Sequence, residues 1–190
     1  PTSAIVRVPQ GDEWILKQVL DCGAQSILIP MVETAQQAEK VVKACRYAPE
    51  GNRGVGYALA RASGYNAISD YAQTANNQIC VILQVETLAA MRNIPEIAQV
   101  SGVDCIFIGP SDLSADMGHL GNLNHPEVLE VIAQGMSDIT DAGLCAGTIC
   151  LAVEDQKLFV EQGGKFLGLA ADVITLQAAL NATVAEARSL

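Results

Sequence analysis

The apolar run from Ile79 to Glu86 constrains the fold of this chain more than any other stretch. Six of its eight residues are apolar, several are β-branched, and the run ends in a carboxylate. A continuous apolar run of this length is typical of a strand buried on both faces, as in a parallel sheet. Such a strand has no solvent-facing side for Gln84 and Glu86, and an unpaired buried carboxylate is costly. We therefore expect Glu86 to lie at an open strand end or beside a cation.

The rest of the chain alternates between strand and helix patterns. We predict six strands, separated by segments with helical periodicity, at 4–8, 26–29, 79–86, 103–108, 144–149 and 166–170. This alternation indicates an α/β protein with a parallel sheet and right-handed crossovers. A (β/α)8 barrel usually needs eight strands and roughly 250 residues. Counting alone therefore favours an open, doubly wound sheet.

Composition argues against several kinds of partner. The net charge of −10 disfavours nucleic acid or an anionic membrane surface as a partner. No apolar run is long enough to span a membrane, and the first residues do not have a signal-peptide pattern. The six cysteines include no Cys-x-x-Cys pair, which favours reduced thiols and a cytoplasmic location.

A second buried run repeats the arrangement that ends in Glu86. Val103–Gly109 is followed within three residues by Asp112. Because parallel strands bring functional groups together at their C-terminal ends, Glu86 and Asp112 can share one divalent cation, and Mg²⁺, Mn²⁺ or Co²⁺ suits oxygen ligands. Each acid also has a structural alternative. Asp112 can cap a helix at 113–117, and Glu86 can pair with Arg92.

Three further polar residues are candidates for the functional site: Arg7, Gln84 and Asp21. Arg7 interrupts an apolar strand, and a buried guanidinium needs either a structural acid or a substrate oxyanion. Gln84 shares a strand face with Glu86 and can donate a hydrogen bond to a ligand oxygen. Asp21 ends a helix, where the macrodipole disfavours a carboxylate. It is either a mildly unfavourable surface residue or an acid used elsewhere, for example to orient a histidine.

The only two histidines lie in the polar loop at 116–126. His125 directly precedes Pro126. We therefore expect His119 and His125 to have turn and helix-start roles rather than catalytic ones.

Four stretches together resemble the class II, metal-dependent pyruvate aldolases, which include the 4-hydroxy-2-oxoheptanedioate and 2-keto-3-deoxy sugar-acid aldolases. They are Pro30-Met-Val32, Gly51-x-Arg-Gly-Val-Gly56 with Ala60-Arg-Ala62, Gln84-Val-Glu-Thr87, and Phe107–Gly118. The resemblance extends over essentially the whole chain. It implies a (β/α)8 barrel and so overrules the strand count. It also implies that residues 1–190 are one domain holding strands three to eight, and that the chain starts too late to contain the family's catalytic histidine.

The resemblance also assigns roles to the residues of the acid pair. Glu86 and Asp112 resemble the ligands of the divalent metal, which is Mg, Mn or Co. Gln84 and the backbone at Ser111 and Asp112 resemble the groups that bind the keto acid.

Two further residues resemble catalytic groups. Arg7 resembles the transition-state stabiliser, and Asp21 resembles the acid that raises the basicity of the catalytic histidine. The implied reaction cleaves a 4-hydroxy-2-oxo acid into pyruvate and an aldehyde, through an enolate that the cation and Arg7 stabilise. The resemblance also implies a homohexamer, a trimer of dimers in which the last helix is exchanged. Two alternatives remain open: a citrate- or malyl-type lyase acting on acyl-CoA hydroxy acids, and a catalytically inactive barrel subunit.

Overall fold

The structure, a computed structural model, describes residues 2–189 and contains six parallel strands. They are β1 (Ile5–Arg7), β2 (Ser26–Ile29), β3 (Cys80–Val85), β4 (Cys105–Ile108), β5 (Cys145–Ile149) and β6 (Phe166–Gly168). Each predicted strand is present, and no predicted boundary is wrong by more than two residues. Apolar runs bounded by turn residues therefore located the strands well.

Helices follow the strands along the chain. Within the described residues they are α1 (Glu13–Asp21), α2 (Ala35–Cys45), α3 (Tyr71–Thr74), α4 (Leu88–Arg92), α5 (Ile94–Ile97), α6 (Pro110–Asp116), α7 (Pro126–Asp141), α8 (Val153–Glu161) and α9 (Asp172–Arg188). Short 3-10 turns lie at Tyr57–Leu59, Arg61–Ser63 and Ala75–Gln78. Across residues 2–189, no helix has both the length and the hydropathy that a bilayer crossing requires.

The strands are arranged in the same order in the sheet as in the sequence. Each pairs in parallel with the next, from β1 to β6. A doubly wound sheet reverses its strand order at a switch point, whereas this order contains no reversal. Right-handed crossovers therefore place the helices on one face, and the sheet curls into a half-barrel. The predicted partial (β/α)8 barrel is confirmed, and the open sheet favoured by strand counting is wrong.

The two faces of the sheet are packed unequally. The larger core lies between the sheet and the helices, where Leu83 and Ile106 pack with helix residues such as Leu16 and Ile132. Alternate residues face the other way and form a small concave cluster: Leu28, Ile82, Cys105 and Phe107. Full burial of one such side chain contributes about 1.5–3 kcal/mol, so the larger helix-facing core supplies most of the hydrophobic stabilisation. The concave face is left for polar residues near the strand ends.

The last helix differs from the others in its burial. None of the residues of α9 is buried, although several of them are large and apolar. Val173, Leu176 and Leu180 are each more than half exposed. This helix therefore presents an apolar surface that nothing in the described chain covers.

Candidate functional site

Glu86 follows directly after β3 and is almost fully buried, with 2% of its surface exposed. Its Oε1 atom accepts a 2.9 Å hydrogen bond from the backbone amide of Met31, at the end of β2. Its Oε2 atom accepts a hydrogen bond from the side-chain amide of Gln84. Among the described residues Glu86 forms no ion pair with Arg92, so that predicted alternative is wrong. The acid lies at an open strand end, as its sequence context predicts.

Asp112 lies in the first turn of α6 rather than at its N-cap, which is Gly109. The predicted capping of a helix at 113–117 is therefore wrong, because Pro110 occupies the first helical turn and starts the helix earlier. Asp112 and its neighbour Ser111 are both exposed. A Cβ atom on Gly109 would lie 2.7 Å from Oε2 of Glu86. Glycine at this position therefore lets α6 begin close to the buried acid.

The two carboxyl groups influence each other electrostatically. Burial raises the pKa of Glu86, and the neighbouring Asp112 carboxylate raises it further. Hydrogen bonds from the Met31 amide and from Gln84 oppose this rise in pKa. The structure therefore brings Glu86 and Asp112 together at the C-terminal ends of β3 and β4. A divalent cation between them would relieve their repulsion, so the donor set fits a hard metal ion.

Gln84 and Arg7 lie on the same face of the sheet. Gln84 is 9% exposed and pairs in register with Phe107 of the concave cluster. Its side-chain amide donates to Glu86. Arg7 pairs in register with Leu28, another residue of that cluster. Arg7 is exposed and forms no ion pair within residues 2–189, so its predicted burial is wrong. The reason is that β1 is at the edge of the sheet and pairs only with β2.

Asp21 does not join the acid pair. It ends α1, five residues before β2 begins at Ser26, and so lies near the N-terminal ends of the strands. Glu86 lies beyond the C-terminal end of β3, whose six residues span about 20 Å at roughly 3.3 Å each. Within one chain, Asp21 therefore lies at the opposite end of the sheet from Glu86.

A buried arginine holds Asp21, and sequence reasoning missed it. Nη2 of Arg53 lies 2.7 Å from Oδ1 of Asp21, and Lys17 donates to Oδ2. Arg53 is 3% exposed, and its guanidinium lies 4.5 Å from the ring centroid of Tyr47. Burial alone would raise the pKa of Asp21, but the hydrogen bonds from Lys17 and Arg53 outweigh it and lower that pKa. The available signal was a lone arginine among the glycines of 51–56.

A cavity of about 410 Å³ lies beside Ser111. One wall is the loop between α6 and α7, through Asn122, Leu123 and Asn124, and another is the end of β5 at Ile149. The cavity therefore opens on the same rim as the acid pair.

His125 is the N-cap of α7, as predicted, and its Nδ1 accepts from the amide of Glu127.

Comparison with known proteins identifies the family of this chain. A family model described as HpcH/HpaI aldolase/citrate lyase matches residues 1–179. The chain belongs to this family. The HpcH/HpaI relatives include the 4-hydroxy-2-oxo-heptane-1,7-dioate aldolase of Shigella flexneri, 47% identical over 185 residues, which are 97% of this chain and 69% of that protein. They also include the hydroxypyruvate/pyruvate aldolase of Roseovarius nubinhibens, 46% identical over 97% of this chain and 72% of that protein.

Solved structures of HpcH/HpaI proteins have the same fold. A family member from Burkholderia cenocepacia J2315 superposes with a TM-score of 0.94 at 35% identity, covering 99% of this chain and 74% of that one. The HpcH/HpaI aldolase of Desulfitobacterium hafniense gives 0.90 at 31% identity, covering 100% and 73%. The resemblance to pyruvate aldolases predicted from the sequence is confirmed, and the chain is a member of a lyase family.

Proposed function

We propose that this HpcH/HpaI family chain is a divalent-metal-dependent aldolase that cleaves a 4-hydroxy-2-oxo acid into pyruvate and an aldehyde. The observation that carries the proposal is the pairing of buried Glu86 with Asp112 where β3 and β4 end. The names of the aldolases that are 46% and 47% identical to this chain support the substrate class.

Glu86 and Asp112 are the residues that would hold the cation, which is Mg²⁺, Mn²⁺ or Co²⁺. When bound, such an ion supplies a Lewis acid that polarises a keto oxygen and favours the enolate. Glu86 is held rigidly by Met31 and Gln84, whereas Asp112 is exposed at the start of α6. One fixed and one adjustable carboxylate can accommodate both the ion and a chelating substrate.

The residues around the acid pair have separate proposed roles. One N–H of the Gln84 side-chain amide donates to a substrate oxygen. The backbone amides at Ser111 and Asp112 bind the substrate carboxylate. Arg7 lies on the same face of the sheet, so its guanidinium can stabilise the negative charge that develops on the enolate oxygen. Its exposure leaves the guanidinium free to approach a ligand above the concave cluster.

We propose that Asp21 acts on the site of a neighbouring copy of the chain. Its place at the N-terminal end of the sheet prevents it from reaching the acid pair of its own chain. In the proposed homohexamer, a trimer of dimers, Asp21 would increase the basicity of a catalytic histidine in another copy. The uncovered apolar face of α9 supports assembly, because exposed apolar patches mark interaction surfaces.

Two broader expectations belong to the same proposal. Residues 1–190 form one domain that contributes strands three to eight of the barrel, as the unbroken order β1 to β6 suggests. The protein acts in the cytoplasm, which agrees with six free thiols.

The proposal is tested by measuring pyruvate release from a 4-hydroxy-2-oxo acid. The complete gene product should be active with Mg²⁺, Mn²⁺ or Co²⁺, inactive after chelation, and active again when metal is restored. Glu86→Gln should abolish the activity, whereas Glu130→Gln, an exposed acid on α7, should not change it. Full activity after thorough chelation would reject the metal mechanism.

The family description also includes citrate lyases, which keeps an acyl-CoA substrate as a second candidate. Assays with acyl-CoA hydroxy acids distinguish it, because an aldolase should prefer the free oxo acid. Metal and pyruvate-analogue binding without turnover of either substrate would instead indicate an inactive barrel subunit.

A further inference from the structure

Three potential metal ligands meet at the loop that joins α6 to α7. His119, His125 and Glu127 each offer one ligand atom, and these atoms lie within 4.8 Å of one another. Nε2 of His119 is 3.0 Å from Oε2 of Glu127, and the two imidazole rings stack with their centroids 3.5 Å apart. None of these residues has a role in the proposed aldolase reaction.

The spacing of these atoms is close to that of the ligands around one cation. A transition metal bound at roughly 2.0–2.2 Å holds adjacent ligand atoms about 3–3.5 Å apart. His119 and Glu127 already have this separation. The stacked rings have to open so that both in-plane lone pairs point to the same cation. Rotation about the broad χ2 torsion of histidine allows this.

The hydrogen bonds that compete with a cation at this cluster are few. Glu127 is exposed, and Oε2 of its carboxylate lies 3.0 Å from Nε2 of His119. His125 accepts a long hydrogen bond of 3.3 Å from the Glu127 amide. A cation on His125 ends that bond whichever ring nitrogen it uses, because a metal-bound neutral imidazole carries its proton on the other nitrogen. Binding therefore replaces two hydrogen bonds, this long one and the 3.0 Å contact between His119 and Glu127.

We propose that His119, His125 and Glu127 form a second cation site, which prefers a borderline transition cation such as Zn²⁺. Two imidazoles and one carboxylate suit Zn²⁺, Co²⁺ or Ni²⁺, whereas Mg²⁺ prefers oxygen ligands. Three protein ligands leave at least one coordination position for water or another ligand. The pair of Glu86 and Asp112 offers only oxygen, so the two sites differ in the metal they select.

Cation binding here would fix the loop that lines the cavity beside Ser111. His119 precedes the loop segment 120–124, whereas His125 and Glu127 follow it at the start of α7. Residues Gly121, Asn122, Leu123 and Asn124 form one wall of that cavity. A cation that joins both ends of the segment would therefore order this wall. The proposal does not depend on the aldolase reaction.

Zinc titration of the purified protein tests the site. Cys22→Ser removes the exposed thiol, and excess Mg²⁺ occupies the oxygen-only pair. Under these conditions calorimetry should show one Zn²⁺ per chain, and X-ray absorption should show imidazole and oxygen ligands without sulfur. Hydrogen exchange of the amides at 117–128 should slow when Zn²⁺ is added.

Three variants remove one ligand each while keeping its structural contact. His119→Phe keeps a ring on His125, His125→Asn keeps an N-cap for α7, and Glu127→Gln keeps a hydrogen-bonding side chain. Each should weaken zinc binding by more than about tenfold, because mutating even a residue that only supports a metal ligand costs at least that much. Glu130→Gln on the same helix should not change it. The proposal is overturned if zinc does not bind, if it binds through sulfur, or if all three variants bind zinc as tightly as the wild type does.

Discussion

The backbone amide of Met31 donates a 2.9 Å hydrogen bond to Oε1 of Glu86, so the end of β2 holds the acid that follows β3. Met31 adopts a left-handed conformation with φ of 58°. This conformation costs a non-glycine residue on the order of 1 kcal/mol and persists only where surrounding contacts enforce it. Gln84 binds the other carboxylate oxygen. Glu86 is therefore fixed from two neighbouring strands before any ligand arrives.

Replacing Glu86 with Gln should flatten the pH dependence of stability in metal-free protein. Because burial and Asp112 raise the pKa of Glu86 in the folded state, its ionisation destabilises the fold. The stabilising effect of the protonated form is complete below the ordinary Glu pKa of about 4.3 and is lost as the pH rises through the folded-state value. We therefore expect Glu86→Gln to lose less stability than the wild type as the pH rises from 4 to 8. Urea unfolding in EDTA across this pH range measures the difference.

The exposed variant Glu130→Gln provides the control, since it should follow the wild-type profile. Added Mg²⁺ or Mn²⁺ should raise the midpoint of thermal unfolding of the wild type and of Glu130→Gln but not of Glu86→Gln. Parallel pH profiles for the wild type and Glu86→Gln would show that this carboxyl has an ordinary pKa.

Gly109→Ala should disturb the acid pair by steric contact alone. Its Cβ would lie 2.7 Å from Oε2 of Glu86 and 2.9 Å from Nε2 of Gln84, so one of these groups must move. The φ of Gly109 is −90°, which alanine adopts without strain. We expect a loss of about 1–3 kcal/mol in the free energy of unfolding and weaker Mn²⁺ binding by calorimetry. Gly56→Ala is the matched control, because its φ is −136° and its Cβ would meet Lys17 at an ordinary 3.5 Å. Equal Mn²⁺ affinity in both variants would contradict the prediction.

Asp21→Asn should destabilise the fold most strongly at neutral pH. It leaves the buried guanidinium of Arg53 without its carboxylate, and breaking a buried ion pair from one side costs about 3–5 kcal/mol. The low pKa of Asp21 means that its contribution is present above the ordinary Asp pKa of about 3.9 and is lost as the pH falls through the folded-state value. The gap between the wild type and Asp21→Asn should therefore narrow in acid, as urea unfolding at pH 7 and pH 3 will show.

An exposed ion pair gives the comparison for Asp21. Glu39 and Lys43 lie 3.8 Å apart on α2, and both are more than half exposed. Glu39→Gln should change stability by no more than about 1 kcal/mol at either pH. If Asp21→Asn changed stability as little as Glu39→Gln, Arg53 would have to pair with another anion.

Local sequence patterns predicted the elements better than their arrangement. The strands were found because apolar runs directly report burial, and the buried position of Glu86 followed from the run that it ends. Strand order could not be found in this way, since a barrel and an open sheet share the same alternation. The burial of Arg7 was predicted wrongly because the edge position of β1 depends on long-range pairing. Arg53 was missed because its partner, Asp21, is distant in sequence.

The place of Asp21 at the opposite end of the sheet from Glu86 leads to a prediction about mixed assemblies. If each site takes Glu86 from one copy and Asp21 from another, Asp21→Asn and Glu86→Gln should both be inactive alone. When both variants of the complete gene product are expressed together, the mixed assemblies should recover activity. About a quarter of the sites in a random mixture would combine an intact Glu86 with an intact Asp21. Pyruvate release per assembly measures this recovery.

Co-expression of Glu86→Gln with Asp112→Asn is the matched control for that mixture. Both of these residues serve the same site from one chain, so no exchange of copies can restore it. Two different affinity tags, purified in sequence, establish that the variants have assembled together. Recovery in the first mixture but not in the second would place Asp21 in the neighbouring copy's site. No recovery in verified mixed assemblies would exclude a role for Asp21 across the interface, and its bond to Arg53 would then account for its presence.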